Sequence, residues 1–270
     1  MVQQIDTHQE SLYLEDTYLT AISSPVAAAG RDEDGGAWVA LRRNIFHPQG
    51  GGQPADHGRV GACEVTPVRH AATGLVVLRA RDDAGPGLGD LTEGDLVEAR
   101  VDVDLRLLHA ALHTAGHLVE AATRAEGWGM AGSNHFPGQA RIELTAPATG
   151  ESLAGPEERD QAADRLRAFV AAAVADDLPV TAGRDAEGRR VIRLGDLHAA
   201  PCGGTHVRAL GDLAEVTISG VKLKKGRVRV SYSASHRPLT AGPLPLGSLS
   251  SGELSGTPLT SGPLSCGTVR

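Results

Sequence analysis

The sequence predicts an α+β fold, on three observations. Residues 12–103 carry short alternating runs of apolar and polar side chains, such as "AWVALRRNIF" and "GLVVLRARD", between clusters of Gly, Pro and Asp. From Asp104 the apolar residues take the spacing of a helix, and a second helical stretch is followed by further strand-like runs. This order is typical of a β-rich part joined to an antiparallel sheet on which helices pack.

The N-terminal part is expected to be a small β-barrel or sandwich. Residues 1–11 are expected to form a flexible N-terminus, and the β-rich domain then covers residues 12–103. No long helical period interrupts this domain, and "DLVEARVDVD" supplies its last predicted strand. We therefore place the domain boundary near residue 100.

The second part, residues 104–236, is expected to begin with a helix whose N-cap is Asp104. A second helix is expected from Pro156 to Asp176, because proline suits the first helical turn and two acidic residues follow it. The runs "LPVTAG", "RRVIRLG" and "AEVTISGVKLKKGRVRVSYSA" then predict the strands of the sheet. The apolar face of the first helix is formed by Leu105, Leu108, Leu112 and Leu118.

The last segment, residues 237–270, consists mostly of Gly, Pro, Ser, Thr and Leu. Such a composition buries too little side chain to offset the entropy lost on ordering. We expect a disordered tail that takes no part in function.

Composition and charge exclude several classes of protein. No run approaches the roughly 18 apolar residues of a membrane span, and the first twenty residues are polar, so a soluble, cytoplasmic protein is expected. The three cysteines have no framework spacing, which argues against a disulfide scaffold. A net charge of −7 and a pI of about 5.9 argue against binding nucleic acid by bulk electrostatics.

One local basic patch is the exception. The stretch "VKLKKGRVRV" alternates basic and apolar residues around a Gly turn, as a half-buried hairpin does. Its basic face is a candidate contact for RNA, and a merely solvated hairpin face is the alternative. The residues concerned are Lys222, Lys224, Lys225, Arg227 and Arg229.

Two pentapeptides have the spacing of metal ligands. "HTAGH" at 113–117 lies in the first predicted helix, where residues four apart share one face. His109 extends this stripe, but it lies roughly 12 Å along the axis from His117, too far to share one ion with it. Spacing alone therefore leaves open which adjacent histidine pair binds.

The second pentapeptide, "CGGTH" at 202–206, strengthens the case for a metal. A thiolate and an imidazole separated by two flexible glycines can turn toward one point, and a set of three nitrogens and one sulfur favours zinc. Peptidase chemistry is disfavoured, because Thr114 stands where a zinc peptidase of the HExxH type has its glutamate.

These motifs resemble those of a known family. "HTAGHLV" and "PCGGTHV" are similar to the paired zinc motifs of the alanyl-tRNA synthetase editing domain, and "FHPQGGGQPADHG" at 46–58 resembles its glycine-rich motif. "GSNHFPGQARIEL" at 132–144 matches a further strand of that domain. The resemblance covers about residues 12–235. Because no aminoacylation domain or ATP-binding signature is recognisable, the chain resembles the longer form of the free-standing AlaX-type editing proteins.

The resemblance implies a zinc-dependent deacylase. It implies the zinc ligands His113, His117, Cys202 and His206, with His109 as a bystander. The reaction implied is hydrolysis, by water at or near the zinc, of the ester joining serine or glycine to alanine-specific tRNA. The candidate substrate contacts, for which a purely structural turn is the alternative, are Gly50, Gly51, Gly52, Gln53, Ser133, Asn134 and His135.

The chain departs from the family pattern at three positions. His47 stands where a tyrosine is common, Gly116 replaces the usual threonine of HTxxH, and Met130 lies near a usual glutamine. These departures concern substrate contacts rather than the metal. Three other histidines, His57, His70 and His198, lack a motif and are expected at the surface.

Two other functions stay open on the sequence. A zinc-stabilised RNA-binding module would bind tRNA without releasing an amino acid. A hydrolase of another small ester or amide would ignore the tRNA body.

Overall fold

The computed structural model describes residues 8–81, 87–145, 153–224 and 226–239. Of the predicted flexible N-terminus, residues 1–7 lie outside these residues, whereas Glu10–Ser11 form a short strand that pairs with Arg43–Asn44. The predicted tail lies outside the described residues from residue 240 onward. No helix among the described residues is long and apolar enough to cross a membrane.

The N-terminal part is built from strands and two short 3-10 turns, at Leu12–Leu14 and Leu88–Asp90. Six of the strands close into a barrel in the order β2-β3-β7-β6-β5-β8, so the predicted barrel is confirmed. Its interior is filled by buried aliphatic side chains such as Val39 and Leu78, together with Phe46. The strands are β1 (Glu10–Ser11), β2 (Ala21–Arg31), β3 (Ala37–Leu41), β4 (Arg43–Asn44), β5 (Gly58–Val60), β6 (Cys63–Arg69), β7 (Val76–Ala80) and β8 (Leu96–Val101).

Among its described residues, the second part contains two α-helices, one short 3-10 turn at Leu210–Asp212 and two antiparallel sheets. The four-stranded sheet has the order β14-β15-β10-β9, the three-stranded sheet has the order β11-β12-β13, and the α+β class is confirmed. The elements are α1 (Val103–Ala125), β9 (Gly129–Asn134), β10 (Arg141–Thr145), α2 (Pro156–Ala175), β11 (Val180–Arg184), β12 (Arg190–Leu194), β13 (His198–Pro201), β14 (Leu213–Lys224) and β15 (Arg227–His236).

The helices cover one face of the larger sheet. Helix α1 packs on β15 and α2 packs on β14, around a core of small and aliphatic side chains that includes Leu118, Ile142 and Leu166. Alanines on α1, such as Ala111 and Ala115, are fully buried and let the helix approach the sheet closely. This close packing fixes the height of the α1 histidines above the sheet.

The start of α1 differs from the prediction. Asp102, not Asp104, is the N-cap, and its carboxylate accepts a hydrogen bond from the Leu105 N–H at 3.0 Å. A cap must precede the first helical residue, which is Val103, whereas Asp104 lies inside the first turn. Asp104 therefore acts only through its charge near the positive end of the helix. The division into two domains at residue 103 stays a prediction.

A buried ion pair joins the barrel to α1. The guanidinium of Arg106, which is fully buried, contacts the fully buried carboxylate of Asp56. It also donates to the Thr17 carbonyl at 2.9 Å and to the Ile45 carbonyl at 2.6 Å. Asp56 in turn accepts from the His47 N–H at 2.6 Å. The segment 46–58 is thus held against α1 at Arg106, about two turns before His113 and about three turns before His117.

Candidate metal centre

Helix α1 and the loop after β13 bring four side chains together. His113 and His117 stack on one face of α1, with ring centroids 5.2 Å apart and an interplanar angle of 9°. The Cys202 sulfur lies 3.3 Å from His113 Nε2 and 3.2 Å from His206 Nε2. One ligand atom from each of His113, His117, Cys202 and His206 lies within 4.8 Å of all the others. This group could hold a metal ion.

His109 lies outside the group. It is buried, and its Nδ1 has no hydrogen-bond partner in the described part of the chain. The adjacent pair that the structure brings to Cys202 is therefore 113 and 117, rather than 109 and 113.

Each imidazole of the group has a hydrogen-bond partner at Nδ1. His113 Nδ1 lies 2.7 Å from Gln53 Oε1, and His206 Nδ1 lies 3.1 Å from the Thr114 hydroxyl. His117 Nδ1 lies 3.2 Å from His198 Nε2. A histidine that binds a metal through one nitrogen usually donates the other N–H to such a partner. All three Nε2 atoms are therefore left for an ion.

The His117 ring gives a direct test of fit. Its Nε2 is buried and has no hydrogen-bond partner within the residues that the structure describes. A buried, unpaired polar atom is costly, and an ion bound among the four side chains would satisfy it. The residues present therefore fit a metal with nitrogen and sulfur ligands.

Burial sets the charge of the histidines. It lowers the pKa of His113 and His206 well below the usual value, so both rings are neutral, as metal ligands must be. Burial also acts to lower the pKa of His117, but contacts with Cys202 and Glu120 outweigh it and raise this pKa to about 9. In the absence of an ion, the Glu120 carboxylate and the neighbouring Cys202 sulfur thus favour the protonated form of His117.

Glu120 and His198 were missed by the sequence reasoning. His198 was predicted at the surface, but it is buried, because β13 places it against α1. Its Nε2 lies 3.6 Å from a Glu120 carboxylate oxygen, and the other oxygen pairs with Arg124 at 2.9 Å. The one available signal was the position of Glu120, three residues after His117 on the same helix face. His57 and His70 are half-buried, and His70 packs against Trp38 at 5.1 Å.

The CGGTH loop needs one of its two glycines. A Cβ on Gly204 would lie 2.2 Å from the His113 ring, whereas a Cβ on Gly203 would meet nothing within 4 Å. Arg190 holds the loop by donating to the carbonyls of Cys202 at 2.8 Å and Gly204 at 3.1 Å. The loop can therefore approach α1 only with glycine at position 204.

Gln53, a candidate substrate contact, lies behind His113. Its side chain is fully buried, its Oε1 accepts from the Thr205 N–H at 3.0 Å, and its Nε2 donates to the Thr205 hydroxyl at 2.9 Å. The Gln53 side-chain amide thus connects the glycine-rich segment to both motifs, HTAGH through His113 and CGGTH through Thr205. Its place favours a role in orienting His113.

The other residues predicted to contact the substrate lie together on one side of the four metal-ligand side chains. The Gly52 carbonyl accepts from the His135 N–H at 2.8 Å, and a Cβ on Gly52 would lie 3.2 Å from the Ser133 hydroxyl oxygen. Gly51 and Gly52 have φ of 57° and 80°, which glycine adopts readily. Ser133 is exposed, Asn134 is half-buried and His135 is buried. Gly50 closes the turn by bridging to Gln53.

His135 also contacts the metal-type group. Its ring stacks on His113, with centroids 4.4 Å apart, and its Nδ1 lies 2.6 Å from the Tyr232 hydroxyl. A Cβ on Gly116 would lie 2.4 Å from the His135 ring. His135 therefore occupies space that a threonine at position 116 would need. Burial lowers the pKa of His135 to about 4.

The basic hairpin is present, but its charges are unequal. Lys222 faces Arg229 and Lys224 faces Arg227 across β14 and β15, while Lys225 lies outside the described residues. Glu143 on β10 lies 2.9 Å from Arg229 and 3.8 Å from Arg227. Of the four described basic residues, only the two lysines have no carboxylate partner among the described ion pairs. The sequence contains no lysine other than Lys222, Lys224 and Lys225.

The fold and the group of side chains define a class: a β-barrel joined to an α+β domain that carries a three-histidine, one-cysteine centre. No protein-family model matches the chain. It is 34% identical, over 72% of its length, to an alanine–tRNA ligase of Acidothermus cellulolyticus, and 30% identical, over 76%, to that of Methanopyrus kandleri. It is 23% identical, over 86% of its length, to the alanyl-tRNA editing protein AlaX-L of Pyrococcus horikoshii.

These similarities show that the chain is homologous to AlaX-L and to one segment of the alanine–tRNA ligases. The matched segments cover 23% and 24% of the two ligases and 59% of AlaX-L. The chain thus spans about a quarter of the length of the ligases it matches.

Proposed function

We propose that the protein is a trans-editing hydrolase that deacylates mischarged alanine-specific tRNA in the cytoplasm. Its substrate is seryl-tRNA, and glycyl-tRNA is a second candidate. The proposal is supported by similarity to a protein named for alanyl-tRNA editing. The observation that carries it is the convergence of the four ligand atoms beside a wall of glycine backbone and polar side chains.

The proposed cofactor is one zinc ion held by His113, His117, Cys202 and His206. Three imidazoles and one thiolate suit zinc better than magnesium or calcium, which prefer oxygen ligands. Bound zinc supplies a Lewis acid that polarises a carbonyl or lowers the pKa of water. Four protein ligands would fill a tetrahedral site and leave no position for water. The proposed ion therefore either expands its coordination to activate water or only organises the pocket.

The chain's own residues supply the positioning. An aminoacyl ester is already reactive, so holding it next to water in one orientation accounts for much of the acceleration. Gly51 and Gly52 have no side chains, which lets the backbone approach the ester closely. Ser133 and His135 line the same wall and offer polar atoms to the amino acid. Gln53 and Thr114 keep two of the imidazoles in place.

The proposed tRNA contact is the β14–β15 hairpin. The chain is acidic overall, so its contact with phosphates depends on a local group of cations. Lys222 and Lys224 extend from one strand, and Lys225 follows them in the sequence.

Three substrates test the proposed function. Seryl-tRNA, glycyl-tRNA and a free seryl ester are incubated with the zinc-loaded protein, and released amino acid is measured. We expect release from the tRNA substrates well above the rate for the free ester, and its loss in Cys202→Ala. Binding of tRNA without release would instead support the RNA-binding module. Equal release from the free ester would support a general esterase.

A further inference from the structure

We propose that His135 is the specificity-determining residue of the pocket, and that its Nε2 accepts a hydrogen bond from the side-chain hydroxyl of the bound amino acid. The inference rests on the proposed function, since it concerns the amino acid that this site binds. It is carried by a chain of hydrogen bonds that fixes which nitrogen of His135 has the proton.

The chain starts at the backbone of α1. The Tyr232 hydroxyl donates its single proton to the Leu112 carbonyl at 3.1 Å. Burial raises the pKa of Tyr232 well above its usual value, so this hydroxyl keeps its proton. With the proton committed to Leu112, the Tyr232 oxygen can only accept from His135 Nδ1, which lies 2.6 Å away.

The tautomer of His135 follows. A neutral imidazole carries one N–H, and the Tyr232 oxygen requires it at Nδ1. His135 Nε2 is therefore a bare acceptor. Within the described part of the chain it makes no hydrogen bond.

The direction of Nε2 can be read from its ring neighbours. In the ring, Nε2 lies between Cε1 and Cδ2. A Cβ on Gly116 would lie 2.4 Å from Cε1, and a Cβ on Gly52 would lie 3.0 Å from Cδ2. A Cβ on Gly116 would also lie 2.6 Å from Nδ1, so Gly116 borders the Nδ1–Cε1 edge of the ring and Gly52 borders Cδ2. Neither glycine has a side chain that could cover Nε2, and the neighbouring Ser133 is exposed.

The ring is also close to the proposed reaction centre. It stacks on His113, with centroids 4.4 Å apart and an interplanar angle of 22°. An ester held beside the four ligands therefore has its amino acid side chain near His135. The hydroxyl of serine can donate to Nε2, whereas alanine and glycine carry no donor at that position. A pocket that hydrogen-bonds a hydroxyl rejects an analogue that lacks it, because its buried polar atom is then left unpaired.

Binding of two non-hydrolysable probes tests the inference. The probes are 3′-deoxyadenosines that carry serine or alanine on a 3′ amide, and their affinities are measured by calorimetry on the zinc-loaded protein. We expect the wild type to bind the seryl probe about tenfold more tightly, as one hydrogen bond predicts. In His135→Asn, the amide nitrogen can still donate to Tyr232, but the acceptor at Nε2 is lost. This variant is expected to bind both probes equally, with its zinc content unchanged.

Two phenol variants separate the chain of hydrogen bonds from general packing. Tyr232→Phe removes the acceptor that fixes the tautomer, and is expected to lower the preference several-fold. Tyr18→Phe, the matched control, removes a buried hydroxyl that contacts Asp212 and His236 instead, and is expected to keep the preference.

Failure of this inference differs from failure of the proposed function. Equal binding of the probes by the wild type, or a seryl preference retained in His135→Asn, overturns the role of His135 even if seryl-tRNA is deacylated. A preference that depends on His135, in a protein that releases no serine from tRNA, supports the inference and removes the proposed reaction.

Discussion

At the residue scale, the metal centre depends on the hydrogen-bond partner of each histidine ligand. The Nδ1 atoms of the three histidines contact Gln53, Thr114 and His198, so each Nε2 is directed toward the others. Such partners fix the orientation of a ligand, and their loss typically costs about 10- to 100-fold in metal affinity. The ligands themselves could be proposed from the sequence, because histidine and cysteine at these spacings are recognisable.

The partners could not be proposed in the same way. Gln53 is separated by 60 residues from His113, and only the folding of the barrel against α1 brings them together. His198 has no motif, and its burial results from the register of β13 with β12. Such contacts depend on tertiary structure, on which local sequence carries no information.

The two loop glycines provide the first prediction. Gly204→Ala is expected to displace the His113 ring, because the added Cβ would lie 2.2 Å from it. Neither residue has the positive φ that would itself penalise alanine. Zinc affinity, measured by competition with a chelator, is expected to fall at least about tenfold in Gly204→Ala. Gly203→Ala is the matched control and should bind zinc normally, so equal affinities would contradict the geometry.

His47 provides a prediction about pH. Burial lowers its pKa to about 4, from 6.5, so the folded state resists a proton that the unfolded state takes up. The folded state therefore loses stability as pH falls below about 6.5, and the loss continues down to about pH 4. For one such group the loss is on the order of 3 kcal/mol.

Urea unfolding of the metal-free protein between pH 7 and pH 4 measures this effect. His47→Phe keeps a ring next to Tyr13 but cannot titrate. We expect the free energy of unfolding to fall less steeply with pH in this variant than in the wild type. Identical slopes would show that His47 is not held neutral.

At the element scale, the start of α1 sets the position of its histidines. The period of the apolar residues predicted the helix, but its first residue depends on which aspartate takes an extended conformation before the first turn. Asp102 does so, with φ −62° and ψ 109°. Periodicity cannot distinguish two aspartates that flank one valine, because both precede the same apolar stripe.

The two aspartates therefore differ in their expected effect on stability. Asp102→Ala removes the cap and is expected to lower the free energy of unfolding by about 1 kcal/mol. Asp104→Ala removes only a charge near the helix N-terminus. It is expected to lower the free energy of unfolding by about 0.3 kcal/mol. Thermal or urea unfolding measures the stability of both variants. A larger loss of stability in Asp104→Ala would show that Asp104 is the N-cap, as predicted from the sequence.

At the scale of the whole molecule, the charge is distributed unevenly. The net charge is −7, yet the three lysines of the sequence, Lys222, Lys224 and Lys225, all fall within four positions. The sequence predicted the β14–β15 hairpin and its turn, but not that Glu143 on a neighbouring strand pairs with its arginines. Strand order decides which side chains face each other, and strand order is a property of the whole sheet.

The lysines and arginines of the hairpin should therefore contribute differently to tRNA binding. The double variant Lys222→Ala, Lys224→Ala is expected to weaken tRNA binding. It should also reduce the slope of log affinity against log salt concentration by about two, since two fewer cations contact phosphates. Arg227→Ala with Arg229→Ala removes cations that Glu143 already neutralises in part, so a smaller effect is expected. Equal losses would mean that the pairing with Glu143 is irrelevant in the complex, and no loss at low salt would exclude the hairpin as the contact.

The central claim is that four distant side chains hold one zinc ion, and X-ray absorption at the zinc edge tests it most directly. For protein loaded with one equivalent of zinc, we expect three nitrogen ligands at about 2.0 Å and one sulfur ligand at about 2.3 Å. Cys202→Ala should lose the sulfur signal and nothing else. A spectrum without sulfur, or one that Cys202→Ala leaves unchanged, would contradict the account.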